Sequence, residues 1–260
     1  ILIGVPCLYA IFWFTEASGT LWWIWVFGFI MAFQTVMLII YPLFVAPLFN
    51  KFESLEDGDL KKAIQELSKK ISFSLSGIFR MDGSKRSSHS NAYFTGFGKS
   101  RRIVLFDTLM KEMTLPQSIA VLAHEMGHYK LHHIKKMIGV NAISLFGGLF
   151  LLSLIYDFSP LFKVFGMSTP TNHGALALFS LLSGTFTFYL KPLYSALSRK
   201  HEYEADRFSA NNTGEKKTLE DALLHLTKQN LSNLSPHPWY SAFYYSHPTI
   251  MERIQAIRAL

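Results

Sequence analysis

Residues 21–49 read LWWIWVFGFIMAFQTVMLIIYPLFVAPLF, 29 positions without a charged side chain. A helix needs about 20 apolar residues to cross the hydrocarbon of a bilayer, so this stretch spans it with length to spare. In hydrocarbon the backbone N–H and C=O groups must be satisfied inside the segment, which makes it helical. Working outward, residues 1–50 hold one charge, Glu16, whereas residues 51–136 are dense in Lys, Arg, Asp and Glu. The 260-residue chain is 50% hydrophobic and only 17% charged, against about 25% charged in an ordinary soluble domain. Segregation of that kind separates a membrane protein with a water-facing part from a soluble protein with a large core. Residues 1–14 are apolar but short and read as the tail of a longer span; neither the basic leader nor the small-residue cleavage site of a signal peptide accompanies them. Residues 138–156, closed by Asp157, and residues 175–196, interrupted by Lys191 and Pro192, complete four candidate spans.

Basic loops stay on the cytoplasmic side of a membrane. Residues 51–136 carry 15 Lys and Arg and residues 198–260 carry 8, whereas residues 157–174 carry only Lys163 and residues 15–20 carry none. Four spans put both basic segments on one face, which is therefore expected to be cytoplasmic, with Lys130, Lys135 and Lys136 anchoring the third span. The expected organisation is transmembrane helices in 1–50, a cytoplasmic part in 51–137, two further spans in 138–197 and a second cytoplasmic part in 198–260. The net charge of +7 follows from this topology. The basic residues form no aromatic-interleaved stripe, so a nucleic-acid partner is not expected. Cys7 is the one cysteine, which excludes a disulfide scaffold and a Cys-based zinc ribbon.

The chemistry lies in the basic segments. Thr114-Leu-Pro-Gln117 has the Thr-x-x-Gln pattern of a capping box, with Pro116 tolerated in the first turn, so a helix is expected to begin there. Along it His124, Glu125 and His128 spell His-Glu-x-x-His. Four residues are slightly more than one helical turn, so both imidazoles leave the same face and can reach a single metal ion, with Glu125 beside them. Neutral imidazoles suit zinc, and three protein ligands with an open fourth position make a catalytic site. His132 and His133 follow and read as boundary or supporting histidines rather than ligands. Candidates for the third ligand are the carboxylates of Ser198-Arg-Lys-His-Glu-Tyr-Glu-Ala-Asp-Arg207. Glu202 and Asp206 share a helix face at i, i+4; Glu202 is read as the ligand and Asp206 as the acceptor for the spare ring N–H of a ligating histidine. Taken alone, the same pair is also what a solvated helix face looks like. Glu204, about 200° round from Glu202, is expected to face away. Residues 92–97 and 102–106 are rich in aromatic and β-branched side chains and are separated by Gly98-Lys-Ser, the pattern of a hairpin. An edge strand beside the zinc helix would bind an extended peptide by strand addition.

Four motifs in this order, Ser88-His-Ser-Asn-Ala-Tyr-Phe94, His124-Glu-Met-Gly-His128, Glu202-Tyr-Glu-Ala-Asp206 and His247-Pro-x-x-x-x-Arg253, resemble the type I CAAX prenyl endopeptidases, integral-membrane zinc metallopeptidases of the gluzincin group. The likeness runs from about residue 40 to the C-terminus. It implies a mainly α polytopic membrane protein whose transmembrane helices carry a cytoplasmic zincin-like catalytic domain with a small β-hairpin or sheet. It implies one zinc ion held by His124, His128 and Glu202, Glu125 as general base and acid, and Asp206 and Arg253 as supporting partners. Asn91 and His247 resemble the pair that holds substrate and stabilises the tetrahedral intermediate, with Ala92 and Tyr93 in the substrate strand. The implied reaction is hydrolysis of peptide bonds near the C-terminus of prenylated proteins, in a bacterial or archaeal inner membrane or the endoplasmic reticulum. Two other readings stay open at this point: a bacterial-type quality-control protease for membrane proteins, and a non-catalytic receptor or scaffold. The intact Glu125 speaks against the last.

Overall fold

The structure, a computed structural model, describes residues 1–85, 91–96, 101–229 and 233–260. In chain order, α1 (Gly4–Ala17) precedes α2 (Trp22–Ile40), which passes through a π-helical turn, Tyr41–Val45, into α3 (Ala46–Phe49). Pro42 explains the widened turn, because it has no N–H for the helical ladder. Next come β1 (Phe52–Ser54), α4 (Asp59–Lys70), β2 (Gly77–Met81), β3 (Ala92–Thr95), β4 (Arg102–Phe106) and α5 (Asp107–Glu112). The helices α6 (Leu115–Lys130), α7 (His133–Ile155), α8 (Ser159–Val164), α9 (Asn172–Thr213), α10 (Lys216–Gln229), α11 (Pro238–Tyr244) and α12 (Ile250–Arg258) complete the chain.

Among the described residues three helical stretches are long and apolar enough to cross a membrane: Gly19–Phe49, His133–Ile155 and Asn172–Thr213. The 14-residue α1 is shorter than a bilayer needs. α9 runs unbroken through Pro192, so the apolar stretch at 175–196 and the carboxylate-bearing segment after it form one 42-residue helix.

Two compact units share the chain, residues 1–38 with 135–190 and residues 39–134 with 191–260. In the first, Trp22 and Val26 of α2 pack with Leu149 and Leu152 of α7, Phe162 of α8 and Ala175 and Leu178 of α9. Its outward side chains are apolar as well: Ile143, Leu154, Leu181 and Phe186 are each more than 60% exposed. An apolar exterior around an apolar core is what a lipid solvent requires.

The second unit is built on a four-stranded sheet of order β1-β2-β4-β3. β2 pairs parallel with β4, Ile78 opposite Ile103, while β1 and β3 add antiparallel, Ala92 opposite Leu105. β3 and β4 thus form the expected hairpin, although its turn at Gly98-Lys-Ser lies outside the described residues. α4 and α6 supply Ile64, Leu67, Leu122, Ala123 and Met126 to a core shared with Ile78, Ile103 and Leu105 of the sheet. A second cluster, Ala120, Leu219, Leu223 and Ile257, fastens α10 and α12 to α6. The helix that α4, α10, α12 and the sheet pack against is therefore the one carrying His124 and His128.

Candidate metal centre

α6 begins as its sequence requires. The Thr114 side chain accepts from Gln117 N at 3.5 Å and Gln117 Oε1 accepts from Thr114 N at 3.0 Å, a complete capping box. Opposite α6 lies the C-terminal half of α9. Ser209 Oγ donates to the Ala120 carbonyl at 2.7 Å. At Gly127 an added Cβ would sit 3.1 Å from Phe208 Cβ; the glycine inside the His-Glu-x-x-His motif is what lets the two helices approach. The consequence is chemical: Glu202 and Asp206 come down on the two histidines.

His124 Nε2 and His128 Nε2 stand 3.1 Å apart. Glu202 offers Oε2 at 3.5 Å from His124 Nε2 and Oε1 at 3.3 Å from His128 Nε2. Asp206 Oδ1 is 2.9 Å from His124 Nδ1, the ring nitrogen that faces away from this meeting point. Asp206 is 1% exposed and Glu202 6%, so these are buried charges that need partners. Arg253 provides one. A capping box formed by Thr249 and Glu252 starts α12, and one turn in, Arg253 donates from Nε to Asp206 Oδ2 at 2.8 Å and from Nη2 to Oδ1 at 2.6 Å. Its Nη1 lies 3.5 Å from Glu202 Oε2. Burial opposes the charge on Arg253, but the hydrogen-bonded Asp206 outweighs it and holds the guanidinium above its ordinary range. Burial likewise favours neutral His124, but the hydrogen bonds to Asp206 and Glu202 outweigh it, and its pKa is raised to about 9.

Zinc at 2.0–2.2 Å from tetrahedral ligands sets donor atoms roughly 3.3–3.5 Å from one another. The two Nε2 atoms and the Glu202 carboxylate have nearly that spacing, and the carboxylates favour positive charge at His124. The residues fit a zinc ion. Glu125 lines the same cavity of about 300 Å³, with Val121, Leu219, Leu223 and His247 also on its walls.

The other expected residues are placed as follows. His247 sits just before α12 with Nε2 3.5 Å from Glu202 Oε1, and its side chain is 66% exposed. Its Nδ1 is 3.0 Å from Ser246 Oγ. Asn91 heads β3; its carbonyl accepts from Phe106 N at 3.0 Å and its Oδ1 from Ala92 N at 2.8 Å. Alternate residues of an antiparallel strand turn their main-chain groups to the same side. Asn91 faces β4, so the main-chain groups of Ala92 and Phe94 face the open edge. The Ala92 side chain is buried, and Tyr93 packs edge-on against Phe106. β3 lies beside α6, where the Tyr129 hydroxyl donates to the Gly96 carbonyl at 3.3 Å. Ser88, His89 and Ser90 of the Asn91 motif lie outside the described residues.

His132 adopts a left-handed backbone, φ 60°, between α6 and α7, and so leaves the i, i+4 series of α6. His133 is buried and touches His128, a contact that helix periodicity could not show across this turn. Glu204 reaches His133 Nε2 at 2.9 Å.

A helix presenting two imidazoles, a second helix presenting a carboxylate, and spans long enough for a bilayer define a class: an integral-membrane protein with a metallopeptidase-type His-His-Glu centre. The model of peptidase family M48 matches residues 54–260, and the chain belongs to that family. A second model, described as the CAAX prenyl protease N-terminal, five membrane helices, matches residues 1–51. The CAAX prenyl protease 1 homolog of Oryza sativa subsp. japonica is 40% identical over 261 residues, covering 99% of this chain and 60% of its own. CAAX prenyl protease 1 of Saccharomyces cerevisiae is 41% identical over 273 residues, covering 98% and 60%. The crystal structure of S. mikatae Ste24p superposes with a TM-score of 0.91 at 38% identity, covering 98% of this chain and 63% of that one. The chain thus spans about three fifths of the length of the relatives it matches.

Proposed function

We propose that this protein is a membrane-embedded zinc endopeptidase that cuts peptide bonds near the C-terminus of prenylated, CAAX-type proteins. The observation that carries the proposal is the convergence of His124, His128 and Glu202 on one point with Glu125 on the wall of the same cavity. The names of the relatives supply the substrate class.

His124, His128 and Glu202 would hold the zinc ion. When bound, it would supply a Lewis acid that polarises a peptide carbonyl and acidifies water. Glu125 takes a proton from the attacking water on its carboxylate and returns it to the leaving amine, the two duties open to one positioned carboxyl group. His247 donates a hydrogen bond from Nε2 to the oxygen that gains charge as the carbonyl is attacked. Asn91 and the open edge at Ala92 and Phe94 hold the substrate main chain in extended form, which leaves side chains loosely specified. Asp206 fixes the tautomer of His124, and Arg253 balances the buried carboxylates. An isoprenyl chain is hydrocarbon and needs apolar surroundings, a requirement with which the apolar spans are consistent. The basic residues of 51–137 and 198–260 support a catalytic side that faces the cytoplasm, in the endoplasmic reticulum if the host is eukaryotic.

The test compares cleavage of a farnesylated peptide, its unprenylated twin and a misfolded membrane protein by the purified protein. Preference for the farnesylated peptide is expected. Preference for the misfolded protein would replace the proposal with membrane quality control, and no cleavage of any substrate would point to a receptor or scaffold.

A further inference from the structure

Next to the metal centre is a second group of metal-ligating side chains, His133, His201 and Glu204. Its geometry is not that of a second metal site. The His133 and His201 rings are stacked, 11° from parallel with centres 4.1 Å apart. Imidazole lone pairs lie in the ring plane, so an ion in the plane of one ring is far out of the plane of the other. Both nitrogens of His133 are also already engaged: Nε2 is 2.9 Å from Glu204 Oε2 and Nδ1 is 3.0 Å from His128 Nδ1.

Those two contacts set the position of a proton. An ionised carboxylate can only accept, so His133 donates its N–H from Nε2 to Glu204 and presents a bare lone pair at Nδ1. That lone pair can be met only by a donor, so His128 carries its N–H on Nδ1. His128 Nε2, 3.1 Å from His124 Nε2 and 3.3 Å from Glu202 Oε1, is the nitrogen aimed into the site, and with the ring's proton held on Nδ1 it is the one free to bind a metal ion. We propose that Glu204 and His133 form a relay that fixes the tautomer and ring orientation of His128, so that His133 and Glu204 are positioning residues of the metal centre. Asp206 does the same for His124 through one hydrogen bond; His128, further from any carboxylate on that side, is reached through an intervening imidazole. The His133 ring is 2% exposed, so its nitrogens are shielded from water, while the Glu204 carboxylate remains partly exposed. The left-handed turn at His132 makes the arrangement possible, because it swings the first residue of α7 back against the end of α6.

The inference rests on the metal-centre reading, and its test separates the two. In 15N-histidine-labelled, metal-free protein, His128 should show a protonated Nδ1 coupled across the hydrogen bond to an unprotonated His133 Nδ1. In His133→Phe, which keeps a ring against His201 but cannot accept, the His128 Nδ1 signal should move toward that of an unprotonated nitrogen as Glu202 draws the proton to Nε2. Zinc affinity, measured by competition with a chromogenic chelator, should fall about 10- to 100-fold in His133→Phe. His133→Asn carries an oxygen near the former Nδ1 position and should stay within about threefold of wild type, which a merely structural role for the ring would not explain. Glu204→Leu, which frees His133 to take either tautomer, should fall between them. A His128 Nδ1 without a proton, equal affinities for wild type and His133→Phe, or a second bound ion lost in His201→Ala would each overturn the relay. If wild-type protein bound no zinc at all, the metal-centre reading would fail while the nitrogen signals still decided the relay.

Discussion

Replacing Arg253 by Met tests the electrostatics on which the site depends. Arg253 makes two hydrogen bonds to Asp206, at 2.8 and 2.6 Å, and its third nitrogen lies 3.5 Å from Glu202. The Met side chain keeps the apolar stem and ends near the Nε position, so the change removes the charge and the fork. Removing one partner from a buried ion pair costs about 3–5 kcal/mol, because the other charge is stranded. At about 2–4 °C per kcal/mol for a chain of this size, the metal-free protein should unfold on the order of 10 °C lower. The assay is thermal unfolding in detergent followed by circular dichroism, with zinc removed so that its charge cannot substitute for the guanidinium. Adding Asp206→Asn should recover at least half of the loss, since Asn is neutral and still offers His124 Nδ1 an oxygen. Arg253→Lys, which keeps the charge and loses the fork, should fall between wild type and Met. If Arg253→Met unfolded within about 2 °C of wild type, or the double variant were no better than the single, stranded charge would not be what holds this cluster.

Other outcomes follow from the same geometry. In metal-free protein His124, with a pKa raised to about 9, carries a proton at neutral pH that zinc must displace. Zinc affinity should therefore rise by up to about tenfold per pH unit between pH 6 and 8 from this group, and titrations in buffers of different ionisation enthalpy should detect proton release. A pH-independent affinity would contradict it. Gly127→Ala places a methyl group 3.1 Å from Phe208 Cβ, an atom that moves only with α9. The helices must separate by a few tenths of an ångström, so zinc binding should weaken and the roughly 1 kcal/mol helix-propensity gain of Ala over Gly should not appear in thermal stability. Thr114→Ala breaks the capping box of α6 and should cost about 1 kcal/mol, seen as a lower unfolding temperature with little change in metal affinity.

Much of this architecture is legible in the amino-acid order because it is local. Uncharged runs announce the spans, and His124, Glu125 and His128 share a face by helix periodicity alone. Thr114 and Gln117 mark the start of that helix, and β3 and β4 are a hairpin with a short connection. The remainder depends on contacts distant in sequence. β1 has three residues and β2 pairs parallel with β4 across an intervening strand, a crossover that no short-range pattern signals. Pro192 suggests a break between span and carboxylate segment, but α9 continues through it. Glu204 is separated from Glu202 by helix periodicity. Its partner His133 is invisible to the same reasoning, because the positive φ at His132 reverses the chain between α6 and α7. The helical wheel of α9 likewise cannot show that Gly127 is what admits Phe208.

The most direct measurement pairs metal analysis with peptide hydrolysis in Glu125→Gln. Wild-type protein should carry one zinc ion per chain and cut a farnesylated peptide. The variant should keep its zinc and lose about 10²- to 10⁴-fold in rate, the usual contribution of a positioned general base. A variant that cleaves as fast as wild type, or a wild-type protein that hydrolyses the peptide fully after chelation has stripped every ion, would contradict the account.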